Sequence, residues 1–353
     1  MFLPDGFTIA LVATVVLASL LPARGAAVHA TDVIGRLSVM LLFFLHGANL
    51  SRRAVLGGLA QWRIHLLVLC STFVLFPLVG LALMPLSGPV LDAPLYAGIL
   101  FLCCLPSTVQ SSIAFTSIAR GNVPAAICSA SASNMLGVVF TPLLAGLLLS
   151  RHSAISLNSL LSITGTILAP FLAGQILQRW LGNWLAKRKA VLRLVDRGAV
   201  LIMVYAAFGK AVTDGIWHTV SLQELGVLIC LCLAILGLVM LTMRIISRWL
   251  DFSHADEVAV VFCGSKKSLI TGVPMASILF PGATAGAIVL PLMIFHQLQL
   301  IVAALLARVY EQGSMRQMKQ TSERPDTVRC SGKPDAKGAT QGECGSTDDE
   351  AWL

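Results

Sequence analysis

The stretch Val260–Ala276, VVFCGSKKSLITGVPMA, places Lys266 and Lys267 side by side within a strongly apolar segment. A lysine near the centre of a bilayer costs roughly 2.5–3.5 kcal/mol or more on insertion scales. Gly264 stands just before the pair, and glycine weakens the interior of a helix. The stretch therefore predicts a membrane helix that is interrupted within the bilayer, with two ammonium groups that must face protein or water.

The composition predicts that most of the chain lies in a lipid bilayer. Of its residues, 56% are hydrophobic and 12% are charged, with a mean hydropathy of +0.83, whereas soluble domains carry about 25% charged residues. The net charge of +8 comes from short loops between apolar runs rather than from a basic arm, which argues against nucleic acid as a partner. The cysteines lie mostly within apolar runs, and their spacing indicates neither a disulfide framework nor a zinc site.

Apolar runs of about 20 residues recur along the chain, and each is long enough to cross the hydrocarbon layer. We predict an all-α, integral multi-pass membrane protein with ten transmembrane helices. The predicted spans are 7–23, 31–50, 63–84, 94–119, 122–149, 158–180, 194–213, 223–246, 255–279 and 283–308.

The loop charges predict how the chain is oriented. With the amino terminus in the cytoplasm, twelve basic residues fall in inner loops and three, Arg24, Arg36 and Arg151, fall in outer loops. This asymmetry favours both termini in the cytoplasm of a plasma membrane, the inner membrane of a bacterium. After Tyr310 the sequence becomes rich in Gly, Ser, Thr and Pro, so residues 311–353 are predicted to form a disordered cytoplasmic tail.

The spans divide into two halves with matching features. Span four is predicted to break at 104–107 and span nine at 263–266. Polar groups at matching positions of spans five and ten are Ser131, Ser133 and Asn134 in the first and His296, Gln297 and Gln299 in the second. Since each half holds five spans, the second enters the membrane from the opposite side. We therefore predict two inverted repeats, residues 1–150 and 151–310, with discontinuous helices 4 and 9, as in many secondary transporters.

Three blocks carry a resemblance to a known family: LPSTVQSSIAFTSIARGNVPAAICSASASNMLGVVFTPLLAG (Leu105–Gly146), CGSKKSLITGVPMA (Cys263–Ala276) and MIFHQLQLIVAALL (Met293–Leu306). They resemble the bile acid:sodium symporter superfamily, most closely its SBF-like branch, and the resemblance covers nearly the whole chain except the tail. It implies a panel domain of spans 1, 2, 6 and 7 beside a core domain of spans 3–5 and 8–10. Helices 4 and 9 would cross in the core, with the substrate between core and panel.

In sodium-coupled members of that family, two sodium ions lie behind this crossing, and the resemblance carries their ligands over only in part. Ser112 and Glu257 match positions that supply sodium oxygens. The other matching positions hold Ile113, Ala126, Ala130, Val261 and Thr72, most of which cannot bind sodium. The resemblance therefore leaves sodium and a proton open as coupling ions.

The two lysines are predicted to serve the site at the crossing. Glu257 lies in the same span, but a straight helix would put its backbone about 13 Å from that of Lys266, which disfavours a pair. We predict that one ammonium replaces sodium at the crossing and that the other faces the cavity and attracts a small organic anion. Because removal from water disfavours a charged amine, a proton could be the coupling ion. A purely structural cation and a lysine snorkelling in a wet cleft are the alternatives.

The residues predicted to bind substrate or coupling ion are Lys266, Lys267, Glu257, Ser107, Thr108, Ser111, Ser112, Thr72, Ser131, Ser133, Asn134, Ser265, His296 and Gln297. The chain lacks HExxH, GxSxG and P-loop motifs, so neither an enzyme nor a cofactor is predicted. The predicted function is secondary transport of an organic anion by alternating access. The alternative, suggested by eukaryotic members of the branch, is a regulator of ion (calcium) homeostasis that moves no organic solute.

Overall fold

The computed structural model describes residues 6–49, 61–149, 157–213, 215, 221–280 and 284–322. Within these ranges the chain is helical almost throughout and forms no β-strand. The helices are α1 (Gly6–Leu20), α2 (Ala26–Asn49), α3 (Trp62–Cys70), α4 (Phe76–Ala82), α5 (Ala93–Cys104), α6 (Val109–Ile118), α7 (Val123–Leu149), α8 (Leu157–Ala186), α9 (Lys189–Thr213), α10 (Leu222–Trp249), α11 (His254–Gly264), α12 (Leu269–Leu279) and α13 (Thr284–Ser322). A π-helical turn, Ser71–Leu75, joins α3 to α4, and a short 3-10 turn, Met84–Leu86, follows α4.

The described helices confirm the predicted fold class, an all-helical membrane protein. Within the described ranges, six helical segments are long and apolar enough to span a membrane, or seven when α5 and α6 are counted together. The helices overlap the ten predicted segments, but not all of them have the properties of a span. The 15 residues of α1 extend about 22 Å, less than the roughly 30 Å of the hydrocarbon layer. Helix α9 carries charged residues near both of its ends.

Two helical segments are interrupted, and their interruptions lie in contact. Helices α5 and α6 meet at an angle of 64°, and residues 105–108 between them include Pro106, which has no backbone donor. Residues 265–268 separate α11 from α12. The carbonyl oxygen of Pro106 accepts a hydrogen bond from the backbone N–H of Ser268 at 2.8 Å.

The last helix extends beyond the predicted start of the tail. We predicted a disordered tail from residue 311, whereas α13 continues to Ser322. Residues 311–322, EQGSMRQMKQTS, are rich in Glu, Gln, Met, Arg and Lys, which favour helix even without apolar packing. The rest of the tail and the boundary between the two predicted repeats lie outside the described residues.

Helices α2 and α8 approach closely at two buried glycines. A Cβ atom on Gly47 would collide with the carbonyl oxygen of Phe171, and a Cβ atom on Gly174 would collide with that of Phe44. Small residues at a helix interface allow such a close approach of two backbones in a membrane. The pair of glycines therefore fixes how α2 lies against α8.

We expect Gly174→Ala to lower the thermal unfolding midpoint in detergent, because the added methyl group forces the two helices apart. Overpacking of this kind costs about 1–3 kcal/mol. Gly182→Ala, on the same helix, is the matched control, since its Cβ would meet only Gln178 at 3.6 Å, an ordinary contact. Equal midpoints for the two variants would contradict the close approach.

Candidate substrate and coupling site

Lys267 is fully buried in the contact between the two interruptions. Its ammonium Nζ donates to the carbonyl oxygens of Thr72, Cys103 and Leu105 at 2.9, 2.8 and 2.7 Å. The ring centroid of Phe76 lies 4.0 Å from the same nitrogen. An ammonium group has three hydrogen-bond donors, and each has an acceptor here. Lys267 is thus a fully coordinated cation within the protein.

The helix ends explain why these carbonyls are available to an amine. The last four carbonyls of a helix have no partner within it, and Cys103 and Leu105 lie at the carboxyl end of α5. Thr72 lies in the π-helical turn, where the regular hydrogen-bond pattern changes. The carboxyl end of a helix also carries the negative end of its dipole. This geometry favours a cation at the position that Lys267 Nζ occupies.

Lys266 is also fully buried, but its amine takes a different direction. Its Nζ donates to the carbonyl oxygen of Ser111 at 3.0 Å and lies 4.1 and 5.1 Å from the ring centroids of Phe115 and Phe262. Ser111 and Phe115 line the cavity described below, whereas Lys266 does not. The structure therefore differs from the expectation that one of the two amines faces the cavity, because backbone carbonyls and aromatic rings hold both.

Serine hydroxyls complete the contact between the two interruptions. Ser112, Ser107 and Ser71 donate to the last three carbonyls of α11 (262–264), at 3.1, 2.6 and 2.7 Å respectively. These carbonyls have no partner within α11. The sequence predicts that Ser107 and Ser112 bind substrate or coupling ion, whereas in the structure both hydroxyls donate to the backbone.

Gln299 fixes the backbone of the second interruption. Its Oε1 accepts the backbone N–H of Lys267 at 2.8 Å, and its Nε2 donates to the carbonyl oxygen of Lys267 at 3.0 Å. The same Nε2 lies 2.9 Å from Nδ1 of His296. From the sequence, Gln299 was noted only as part of a repeated polar group. An amide in an apolar helix was the signal that could have placed it in the site.

Glu257 pairs with arginines rather than with the lysines. Its buried carboxylate lies 3.4 Å from Nε of Arg244 and 3.2 Å from Nε of Arg248, and it accepts a hydrogen bond from the hydroxyl of Tyr310 at 2.8 Å. Both arginines belong to the twelve basic residues counted for inner loops, although Arg244 falls within the predicted span 223–246; in the structure they are four residues apart on α10 and share one face. Two guanidinium groups therefore pair with the carboxylate that, by the resemblance, would be a sodium ligand.

The other predicted residues divide between backbone contacts and the cavity wall. Ser265 donates to the carbonyl oxygen of Val261 at 2.6 Å, and Ser133 Oγ accepts the backbone N–H of Ser107 at 3.1 Å. The hydroxyl of Thr72 donates to Val68 at 2.8 Å, so Thr72 reaches Lys267 through its carbonyl oxygen. The predicted residues that line the cavity are Thr108, Ser111, Ser131, Asn134, His296 and Gln297.

A cavity of about 860 Å³ lies beside the interruptions. Helices α1, α2, α8 and α9 contribute lining residues, and so do α6, α7, α12 and α13. The first four of these helices supply aromatic rings and charged or polar groups, in Phe7, Phe43, Phe171, His46, Asp196 and Arg197, and the other four carry the predicted polar residues or follow directly after them. Cavities of roughly 300–1,000 Å³ with a few polar groups in apolar walls are typical of small-molecule sites.

Two charged cavity residues, Asp196 and Arg197, were missed in the sequence. Arg197 belongs to the twelve basic residues counted for inner loops, although it falls within the predicted span 194–213, and no role is predicted for Asp196 from the sequence. Both lie within α9, and an adjacent acid and base in a helix of a membrane protein was the available signal.

Two interrupted helical segments in contact beside an amphipathic cavity, in a multi-pass helical membrane protein, are typical of membrane transporters. The chain belongs to the SBF-like CPA transporter family (DUF4137), whose model matches residues 5–312. This confirms the resemblance derived from the three sequence blocks.

The relatives found by sequence comparison agree with this class. The chain is 54% identical over 311 residues to the uncharacterized protein PA2026 of Pseudomonas aeruginosa, covering 88% of this chain and 93% of that protein. It is 47% identical over 309 residues to YfeH of Escherichia coli (strain K12), whose name describes a symporter, covering 87% and 93%. It is 28% identical over 280 residues to sodium/bile acid cotransporter 7 of Rattus norvegicus, covering 77% and 82%. The two named relatives confirm the prediction that the chain is not an enzyme.

Proposed function

We propose that the chain is a secondary active transporter of a small organic anion that works by alternating access at the cavity. The observation that carries this proposal is that two interrupted helical segments meet beside a cavity of about 860 Å³. Ends of interrupted helices at such a place are typical of transporter sites. The names of the relatives favour transport over the alternative of a regulator of calcium homeostasis that moves no organic solute.

The proposed architecture is the one that the sequence predicts. Residues 1–150 and 151–310 form two inverted repeats of five spans, residues 311–353 form a cytoplasmic tail, and both termini lie in the cytoplasm of a bacterial plasma membrane. A panel containing α1, α2, α8 and α9 moves against a core containing the two interruptions. Residues from both sets of helices line the cavity, as this division requires.

An anionic substrate suits the donors in the cavity wall. Arg197 supplies a positive charge, and Asn134 and Gln297 supply amides. The Nε2 atom of Gln297 is buried and has no hydrogen-bond partner among the described residues. A buried donor without a partner costs about 1–3 kcal/mol, so an oxygen acceptor on a ligand would relieve that cost.

In this proposal, cations of the protein replace sodium. Lys267 occupies a position coordinated by three carbonyls, and Arg244 and Arg248 hold the carboxylate of Glu257. Sodium requires several oxygen ligands, and these oxygens already have cationic partners. Transport is therefore independent of sodium, and a proton is the coupling ion.

A thermal-shift screen of the purified chain with cholate, 1-naphthoate and benzoate tests the proposal. We expect at least one anion to stabilise the protein, by about 2.7 kcal/mol at a hundred times its Kd. The shift should be the same in sodium chloride and in potassium chloride. If no anion stabilises the chain, the anion site is wrong; if stabilisation requires sodium, the replacement of sodium is wrong. Uptake of the stabilising anion into proteoliposomes then separates a transporter from a regulator.

A further inference from the structure

The outer face of α8 changes from apolar to basic along its length. Four exposed residues follow one another at a spacing of four and so form one row on the helix surface: Leu172, Ile176, Trp180 and Trp184. Arg188 follows at the same spacing, in the turn between α8 and α9. The predicted span ends at residue 180, so the row runs from the hydrocarbon layer to the headgroup region, where tryptophan is enriched.

Two arginines lie over the tryptophans of this row. The guanidinium carbon of Arg188 is 4.5 Å from the ring centroid of Trp184, and that of Arg179 is 5.2 Å from the ring centroid of Trp180. The two indoles are 51% and 63% exposed, and the neighbouring Lys187 is also exposed. Because a guanidinium carries its N–H donors at its rim, an arginine over a ring can still bind an oxygen anion. We call these five residues the basic-aromatic patch.

Buried contacts hold the turn that carries the cations of the patch. The backbone N–H of Arg188 donates to the carbonyl oxygen of Leu185 at 2.9 Å, and its carbonyl oxygen accepts the N–H of Leu192 at 3.1 Å. Leu185 and Leu192 are in turn buried in one apolar cluster with Ala48 of α2. The backbone of the turn is therefore fixed before a ligand arrives, which lowers the entropy cost of binding.

The positive charge of the patch has no acid beside it in the sequence. Residues 172–195 contain five basic residues and no acidic one. Within the described part of the chain, the side chains of Arg179 and Arg188 contact indoles and have no carboxylate partner. Arg63, beside the exposed Trp62, differs because it donates to the carbonyl oxygen of Leu250 at 3.1 Å. The patch therefore presents cations that an anion from outside the protein can bind.

We propose that the basic-aromatic patch binds the phosphate of an anionic phospholipid whose acyl chains lie along Leu172 and Ile176. The apolar residues, the indoles and the cations follow one another along the row as acyl chain, glycerol and phosphate do along a lipid. A zwitterionic lipid brings a positive amine to the same cations and is disfavoured. A second copy of this chain seated on the patch would bring like charges together. The proposal does not depend on what the cavity transports.

Lipid titrations of the purified full chain in dodecyl maltoside, followed by native mass spectrometry, test the proposal. We expect dioleoyl phosphatidylglycerol to bind more tightly than dioleoyl phosphatidylcholine, by on the order of tenfold. Lys187→Gln with Arg188→Gln should weaken phosphatidylglycerol about 30-fold, since each cation contributes about fivefold, and should leave phosphatidylcholine unchanged. Cardiolipin should also bind more tightly than phosphatidylcholine, and its affinity relative to phosphatidylglycerol shows whether the patch holds one phosphate or two.

Matched variants separate the patch from the general charge of the protein. Arg24→Gln with Arg36→Gln removes the same charge from exposed positions outside the patch and should keep the affinity of the parent. Lys187→Arg with Arg188→Lys keeps the charge and should retain binding. The proposal is overturned if the two lipid classes bind equally, or if both glutamine double variants lose phosphatidylglycerol to the same extent. It is also overturned if Lys187→Gln with Arg188→Gln converts a dimer into a monomer without changing lipid affinity.

Discussion

Lys267→Ala is expected to lower the stability of the protein by about 3–5 kcal/mol in potassium chloride, and sodium chloride is expected to restore part of the loss. The substitution leaves the carbonyls of Thr72, Cys103 and Leu105 buried without the donor that now joins them. A buried acceptor left without a partner costs about 1–3 kcal/mol, and the substitution leaves several such carbonyls. The vacated space is lined by three oxygens at a helix end, where a small cation is favoured. Thermal unfolding in the two salts measures both effects.

Two other lysines provide a graded comparison. Lys266→Met loses one carbonyl acceptor and two ring contacts, so we expect a smaller loss and no response to sodium. Lys187→Met changes an exposed lysine and should leave the midpoint unchanged. A Lys267→Ala protein that is as stable as the parent in both salts would show that the amine does not hold the interruptions together. Destabilisation without a response to sodium would show that the amine stabilises the contact between the interruptions but does not occupy a site that sodium can fill.

The double substitution Arg244→Met with Arg248→Met is expected to cost about 3–5 kcal/mol, because it leaves the buried carboxylate of Glu257 without a cation. Only the hydroxyl of Tyr310 then remains as its partner among the described residues. An uncompensated carboxylate can recruit a soluble cation. We therefore expect sodium to stabilise this variant more than it stabilises the parent, as measured by thermal unfolding across a sodium titration at constant ionic strength.

Glu257→Gln, added to the double variant, provides the internal control. It removes the uncompensated charge, so the triple variant should regain stability in potassium chloride and lose its sodium response. Arg36→Met, which changes an exposed arginine on α2, should have no effect. If the double variant is fully stable, the two partly exposed arginines contribute no more than ordinary surface pairs, which contribute about 0–1 kcal/mol.

The sequence was a good guide to the helices and to their interruptions. Long apolar runs, Pro106 and Gly264 are local signals, and most helical segments begin and end within a few residues of the predicted spans, whereas α8 continues to Ala186 and α13 to Ser322. The sequence was a poorer guide to which side chains contact one another. Glu257 is held by arginines from α10 and a tyrosine from α13, and no spacing along the chain places these three elements together. Asp196 and Arg197 lie near the start of the predicted span 194–213, and the sequence does not show whether charges at such a helix end face a loop or a cavity.

The sequence alone determined the membrane class, the family, and the requirement that two lysines in an apolar stretch be sheltered, because hydrophobicity, motif and charge are properties of a segment. Only the tertiary structure decided where the amines point. Both turn to backbone carbonyls or aromatic rings rather than to the cavity, because helix ends that lie far apart in the chain leave acceptors there. The direction in which a charged side chain points in a membrane protein depends on which unpaired hydrogen-bonding groups the helix packing brings within its reach. Those groups come from segments all along the chain.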